Sequence, residues 1–200
     1  MDSLFFADVK NGGMFILRVI SGEAKGHKLK TPKGNMTRPT SDKVKGSIFN
    51  ILAPVIFDKD VLDLFAGTGS IGIEALSRGA RRAVFVDKSR ECCQIIKENL
   101  DHTKFTERAE IHAMDVCMAL NMLSERNIKF DIIFLDPPYG KGLVDETLAC
   151  IADTGVLKQD TIIIAEHDVK DVVPECIGTL KNFRKQKYGD TVISFYRQEV

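Results

Sequence analysis

The chain has 200 residues, 44% of them hydrophobic, with Lys+Arg and Asp+Glu balanced at 28 each, so its formal net charge is zero. That length and composition can bury a substantial core and favour one domain with at most a small appendage. They exclude a membrane-spanning or grossly polycationic protein, because no apolar run approaches the roughly 20 residues that cross a bilayer. The first residues also lack a cationic leader and a long apolar stretch, so a cytoplasmic location is expected. The five cysteines (Cys92, Cys93, Cys117, Cys150 and Cys176) are odd in number and show no C-x-x-C spacing. This speaks against both a disulfide framework and a zinc site, and the thiols are expected to be reduced, with no metal bound.

Residues 1–13 end in Asn11-Gly12-Gly13 and read as an extension: either a mobile leader, or a stretch ahead of a natural start at Met14. Residues 14–40 read as a small ribbon, with extended patterns at 15–20 and 27–30 joined by the glycine-containing segment 21–26. Its cations matter more than its size. Between Arg18 and Lys45 there are eight of them (Arg18, Lys25, Lys28, Lys30, Lys33, Arg38, Lys43 and Lys45), faced only by Glu23 and Asp42. The neutral whole therefore hides a basic front end. Arg38-Pro39-Thr40-Ser41-Asp42 then opens a helix capped by Thr40 or Ser41, with Val44, Ile48, Ile51 and Leu52 on one face and Pro54 ending it.

Residues 41–200 read as the main domain. Strand and helix patterns alternate: strand 61–65, helix 70–77, strand 83–87, helix 89–100, strand 109–113, helix 116–124, strand 130–135, helix 143–151 and strand 161–165. A last pair, 180–187 and 191–197, is joined by Tyr188-Gly189-Asp190 as an antiparallel hairpin. The expected fold is α/β and Rossmann-like, a seven-stranded, mostly parallel sheet with ligand crevices at the carboxyl ends of its strands.

The first central strand closes in Asp63-Leu64-Phe65-Ala66-Gly67-Thr68-Gly69-Ser70-Ile71-Gly72, a G-x-G-x-x-G run between a strand and a helix. Dinucleotide enzymes share this signal. Asp63 turns the reading towards S-adenosylmethionine, because a carboxylate there attracts a cationic amino group and repels a pyrophosphate. Asp87, 20 residues after Gly67, suits a ribose diol in either reading. Asp115 can accept from an adenine amino group or simply cap a helix. The cofactor set is Asp63, Phe65, Ala66, Gly67, Thr68, Gly69, Ser70, Asp87, Lys88, Asp115 and Val116.

The buried run 130–135 stops at Asp136-Pro137-Pro138-Tyr139, because two prolines cannot continue the hydrogen-bond ladder. They leave a carboxylate, outward carbonyls and an aromatic ring together. Such a ledge suits a planar ring bearing an exocyclic amine: Asp136 and a main-chain carbonyl accept its N–H groups and Tyr139 covers its face. A basic ribbon beside a base-sized cleft is what phosphate positioning needs, and Arg18, Lys25, Lys28, Lys30, Arg38 and Thr40 are the candidate RNA contacts.

With these motifs in place the chain resembles class I S-adenosylmethionine-dependent methyltransferases carrying the D/N-P-P-Y/F motif of amino-N methylases. More narrowly it resembles the RsmD family of bacterial small-subunit (16S) rRNA guanine-N2 methyltransferases. The matching stretches are Arg18-Val19-Ile20-Ser21-Gly22 with Gly26-His27-Lys28-Leu29, Arg38 through Lys45, Ser47-Ile48-Phe49-Asn50, Asp63 through Gly79, and Phe134 through Tyr139. One departure is Gly46, where the family's usual residue is glutamate. The resemblance implies that Asp136, Pro137, Pro138 and Tyr139 form the catalytic ledge, that a monomer acts on rRNA within the small subunit, and that the base is guanine. The residues alone also admit an adenine-N6 methylase, a nicotinamide-dependent oxidoreductase, or an RNA-binding module with a relic cleft.

Overall fold

Successive side chains along a strand point to opposite faces, so the near-continuous buried runs 61–64, 83–86 and 132–135 build a sheet with a core on both faces. The computed structural model describes residues 17–32 and 42–199. In chain order it contains α1 (Asp42–Leu52), β1 (Asp60–Leu64), α2 (Ser70–Ser77), β2 (Arg82–Asp87), α3 (Arg90–Thr103), β3 (Ala109–Ala113) and α4 (Val116–Glu125). Next come β4 (Phe130–Leu135), α5 (Leu143–Ala152), β5 (Leu157–Asp168), β6 (Cys176–Ile177), β7 (Leu180–Tyr188) and β8 (Thr191–Gln198). The expected caps of α1 at Thr40 and Ser41, the contacts Arg38 and Thr40, and residues 1–13 lie outside the described residues.

One sheet runs in the order β3-β2-β1-β4-β5-β8-β7-β6. The first five strands are mutually parallel, and β8, β7 and β6 continue antiparallel. The sheet has one more strand than the seven expected: β6, a two-residue edge pairing Cys176 with Lys181 and Ile177 with Leu180. Two residues are too short for a pattern to show in sequence. The fifth strand is also longer than the expected 161–165, because β8 pairs with Glu166, His167 and Asp168 and keeps them extended.

Val61, Phe85, Ile132, Phe134 and Ile164 share a core with α1, α2 and α3, while Leu62, Leu64, Val86, Ile133, Leu135 and Ala165 share one with α4 and α5. The chain winds outward from β1 through β2 to β3, then crosses to β4 on the other side of β1. The C-terminal ends of β1 and β4 therefore flank the point where the winding reverses, where an open α/β sheet leaves a crevice. The opposite rim is an ion-pair cluster. There the buried Asp60 holds Arg81, Arg82 at 3.0 Å and Lys158 at 2.7 Å, and Lys158 also reaches Asp131 at 2.6 Å.

The cysteine expectation needs correction: Cys117 of α4 and Cys150 of α5 form a disulfide across a Cα–Cα distance of 5.8 Å. The two helices pack on the same face of the sheet, and a separation of 33 residues gives no sign of that proximity in the sequence. Cys92, Cys93 and Cys176 are free.

The ribbon is fused to the body. Arg18 and Lys28 form its antiparallel bridge, and Leu17, Val19, Ala24 and Leu29 are buried in the core that α1, α2 and α3 share. Its anchor is Glu74 of α2, fully buried, which accepts the backbone N–H of Ile20 at 2.7 Å and of Ser21 at 3.0 Å. Glu74 also pairs with Arg78 at 2.7 Å and lies 4.0 Å from the buried Lys45, whose Nζ donates to the Arg18 carbonyl at 2.8 Å. Gly22 has φ 85°, and a Cβ there would stand 1.8 Å from the Ser77 carbonyl oxygen, so only glycine lets the ribbon approach α2 this closely.

Candidate active site

At the end of β1 the backbone turns sharply: Phe65 adopts the left-handed region at φ 61°, followed by Gly67 at 54° and Gly69 at 77°. A non-glycine residue held there stores conformational strain, a feature that clusters at ligand sites. Four contacts brace the turn. Ala66 N–H donates to the Val86 carbonyl at 3.0 Å, Gly67 N–H to Asp87 Oδ2 at 2.8 Å, Gly69 N–H to the Ala66 carbonyl at 2.7 Å, and Asn99 Nδ2 to the Thr68 carbonyl at 2.9 Å. Ser70 then opens α2. A Cβ at Gly72 would lie 2.3 Å from the Phe85 ring, so this glycine brings α2 down onto β2.

Asp63 is buried beneath the turn, its Oδ2 accepting the Gly72 N–H at 2.9 Å. Burial pushes its carboxyl up to about 7, and the Asp87 carboxylate pushes the same way against the Gly72 hydrogen bond. Asp87 ends β2 and spends its other oxygen on Ser89 N–H at 2.8 Å, beside the exposed Lys88. Asp115 is exposed and caps α4, its Oδ1 accepting Cys117 N–H at 2.9 Å and Met118 N–H at 3.4 Å. The capping role weighed from sequence is thus present, and Val116 is buried behind it.

These groups fit S-adenosylmethionine better than a dinucleotide. Two carboxylates, Asp63 and Asp87, sit close enough to raise the proton affinity of the first, and the turn between them carries no cationic side chain. Such a pair suits an ammonium and a ribose and opposes a diphosphate.

One strand over, β4 ends at Leu135, paired with Leu64 of β1, and Asp136-Pro137-Pro138-Tyr139 emerges from it. Pro137 is buried, Pro138 is exposed, and Tyr139 is 44% exposed. The Tyr139 hydroxyl donates to Glu166 Oε1 at 2.8 Å. Burial and the Glu166 carboxylate hold this phenol well above the usual tyrosine range, with Asp136 adding to the effect. Glu166 is 7% exposed and was missed by sequence reasoning, although a lone acid inside the apolar run 161–165 extended by two residues was the available signal. A cavity of about 260 Å³ opens beside it, lined by Pro137, Pro138, Tyr139, Glu166, Lys170 and Val172 among others.

The ribbon cations divide into two groups. Arg18 pairs with Asp42 at 3.3 Å and Lys30 with Glu98 at 3.0 Å, both exposed. Lys25 and Lys28 have no acidic partner among the described residues and border a shallow depression with His27 and His102, whose rings meet edge to face at 5.2 Å. Among the described residues no group of His, Cys, Asp and Glu converges as a metal site, and no helix is long and apolar enough to cross a membrane.

Residues 17–197 match the family model described as Conserved hypothetical protein 95. The chain is 43% identical over 182 residues to Bacillus subtilis YlbH, a protein provisionally named an rRNA methyltransferase, covering 91% of this chain and 99% of that one. It is 33% identical over 183 residues to the Escherichia coli ribosomal RNA small subunit methyltransferase D, covering 92% of this chain and 90% of that one. The solved structure of Escherichia coli yhhF, provisionally described as a methyltransferase, superposes with a TM-score of 0.80 at 34% identity, covering 91% and 97% of the two chains. A methyltransferase family removes the nicotinamide-dependent alternative. The chain belongs to the Conserved hypothetical protein 95 family, the RsmD family of class I S-adenosylmethionine-dependent methyltransferases.

Proposed function

We propose that this protein methylates the 2-amino group of a guanine in small-subunit (16S) ribosomal RNA, acting in the cytoplasm as a monomer. The observation that carries the reading is the placement of Asp136 at the end of β4, one strand from Asp63 at the point where the sheet winding reverses, with Tyr139 anchored beside it. The relative named ribosomal RNA small subunit methyltransferase D supports the RNA class.

S-adenosylmethionine supplies an electrophilic methyl group on a sulfonium. Asp63 would hold its ammonium, Asp87 its ribose hydroxyls, and Asp115 with Val116 its adenine. Phe65, Ala66, Gly67, Thr68, Gly69 and Ser70 shape the turn beneath it, with Lys88 at the edge. A guanine 2-amino group is a poor nucleophile, because its lone pair is delocalised into the ring. Accepting its two hydrogens on Asp136 and the Pro137 carbonyl turns that lone pair out of the ring plane, and Pro138 and Tyr139 fix the plane. The excess proton of the methylated amine would leave through Asp136 or water. The ribbon of residues 14–40, through Lys25 and Lys28 above all, would hold flanking phosphates while the base is unstacked.

The test is product analysis after incubation with labelled S-adenosylmethionine and small subunits from cells lacking this protein. N2-methylguanine is expected; N6-methyladenine in its place, or labelled protein without labelled RNA, would overturn the reading.

A further inference from the structure

We infer that the face of the β7–β8 hairpin carrying Phe183, Arg184 and Arg197 is a second RNA surface, which binds a single-stranded segment beside the target base. This inference rests on the function proposed above and adds where the substrate strand runs beyond the ribbon. From Leu180 to Gln198 the hairpin carries five cations (Lys181, Arg184, Lys185, Lys187 and Arg197) against one acid, Asp190. Glu199 engages Lys181 and Glu175 engages Lys185. Arg184, Lys187 and Arg197 are exposed and have no acidic partner among the described residues.

A bulge builds the face. The register of β7 on β8 passes from Asn182 opposite Tyr196 to Arg184 opposite Phe195, leaving Phe183 as the extra residue. Two neighbours that would otherwise point to opposite faces therefore share one. The Phe183 ring lies 6.2 Å from the Phe195 ring, and the Arg184 guanidinium stands 5.7 Å from the centre of that same Phe195 ring. Arg197, two residues after Phe195, lays its guanidinium 5.2 Å over Phe183. Phe195 is buried, whereas Phe183 is 42% exposed, so an outward aromatic ring is set between two guanidinium groups. A guanidinium stacked on a ring keeps its N–H groups in its own plane, where phosphate oxygens can meet them. The exposed ring offers a base its π-face. Single-stranded RNA presents phosphates and open bases together, whereas a duplex hides its bases.

This face leads to the ledge. Ile193 and Phe195 belong to the core shared with α1, α2 and α3, and Ile193 pairs with Glu166, which holds the Tyr139 hydroxyl. The Thr191 side chain hydrogen-bonds that hydroxyl as well. From Thr191 to Phe195 is four residues of strand, about 13 Å, so one stretch of sheet joins Tyr139 to Phe183. Edge cations can also serve only to repel another chain's strand. Lys185 and Lys187 suit that duty, because they oppose Ser194 and Val192 on the other face of β7, whose pairing to β6 covers only Leu180 and Lys181. Arg197 does not suit it, because β8 lies between β5 and β7 and has no open edge.

The experiment uses the full chain and small subunits from cells lacking this protein, with filter binding across a salt series and cofactor affinity as the check on folding. The double variant Arg184→Glu, Arg197→Glu is expected to weaken binding about tenfold or more and to lower the slope of log K against log salt by about 1.4, from about 0.7 for each of two lost single-strand phosphates. Phe183→Leu keeps an apolar side chain but removes the stacking face. It is expected to weaken binding about fivefold or more with the slope unchanged, because it loses no phosphate. Lys185→Ala, on the other face, is expected to stay within about twofold of wild type. Unchanged affinity in the double variant or in Phe183→Leu, or an equal loss in Lys185→Ala, would overturn the inference. Wild-type protein that neither binds nor methylates the subunits would instead overturn the function itself.

Discussion

Asp63 and Asp136 stand at neighbouring strand ends, and their different surroundings suit the separate duties proposed for them. Asp63 is sealed beneath the glycine turn, whereas Asp136 is half-buried at the mouth of the cleft. Asp136→Ala is expected to lower methyl transfer by at least about 100-fold with little change in cofactor affinity, and Asp63→Ala to weaken cofactor binding; single-turnover kinetics and calorimetry read the two. Equal losses of cofactor affinity in both variants would refute this division. Asp63 also predicts a pH dependence. Its carboxyl is pushed up to about 7 by burial and by Asp87, whereas a cationic amino group binds only the carboxylate. Cofactor affinity should therefore rise about tenfold per pH unit below 7 and level off above it, and Asp63→Asn should flatten the profile. For stability the sign is opposite. The folded state holds this proton more tightly than the unfolded chain, so the contribution is fully present below about pH 4 and is lost as pH climbs through about 7.

At the scale of elements, α2 joins the glycine turn to the ribbon. Its N-terminus carries the glycine turn, and its buried Glu74 holds the ribbon through Ile20 and Ser21. Glu74→Ala leaves two backbone donors and the buried Lys45 without their carboxylate, and is expected to cost about 3 kcal/mol or more in chemical denaturation. Gly72→Ala forces α2 away from Phe85 and should cost about 1–3 kcal/mol, with weaker cofactor binding. Gly46 is the opposite case: it lies inside α1, and nothing stands within 4 Å of a Cβ built there. Gly46→Ala should therefore raise stability by about 1 kcal/mol through helix propensity alone.

For the molecule as a whole, the balanced composition conceals a polarised surface. Lys25 and Lys28 face outward on the ribbon without acidic partners among the described residues, whereas Arg18 and Lys30 are already engaged by Asp42 and Glu98. Reversing the charge of Lys25 and Lys28 should weaken RNA binding across sequences and reduce the slope of log K against log salt by about one for each lost phosphate contact. The same changes at Arg18 and Lys30 should have smaller effects, because each loses a surface ion pair already worth little. Filter binding across a salt series distinguishes the two pairs, and equal slopes for both would return the ribbon to an ordinary solvated face.

Much of this arrangement was legible in the chain. Helical and strand periods located every α-helix of the described residues and all the strands except β6, because each pattern reports a local choice of face; the single-turn 3-10 helix Thr106–Arg108 is too short to show a period. The glycine turn and the ledge were legible for a related reason: Gly67, Gly69, Pro137 and Pro138 act on their own backbone, wherever the rest of the chain lies. What the sequence could not disclose depends on pairing between distant residues. Cys117 meets Cys150 only because α4 and α5 share a sheet face, and Glu166 meets Tyr139 only because β8 holds the end of β5 extended beside β4. The strand order likewise decides that Asp63 and Asp136 are neighbours, although 73 positions separate them in the chain. Local chemistry thus determined which groups this protein offers, and tertiary contact alone decided which of them face one another.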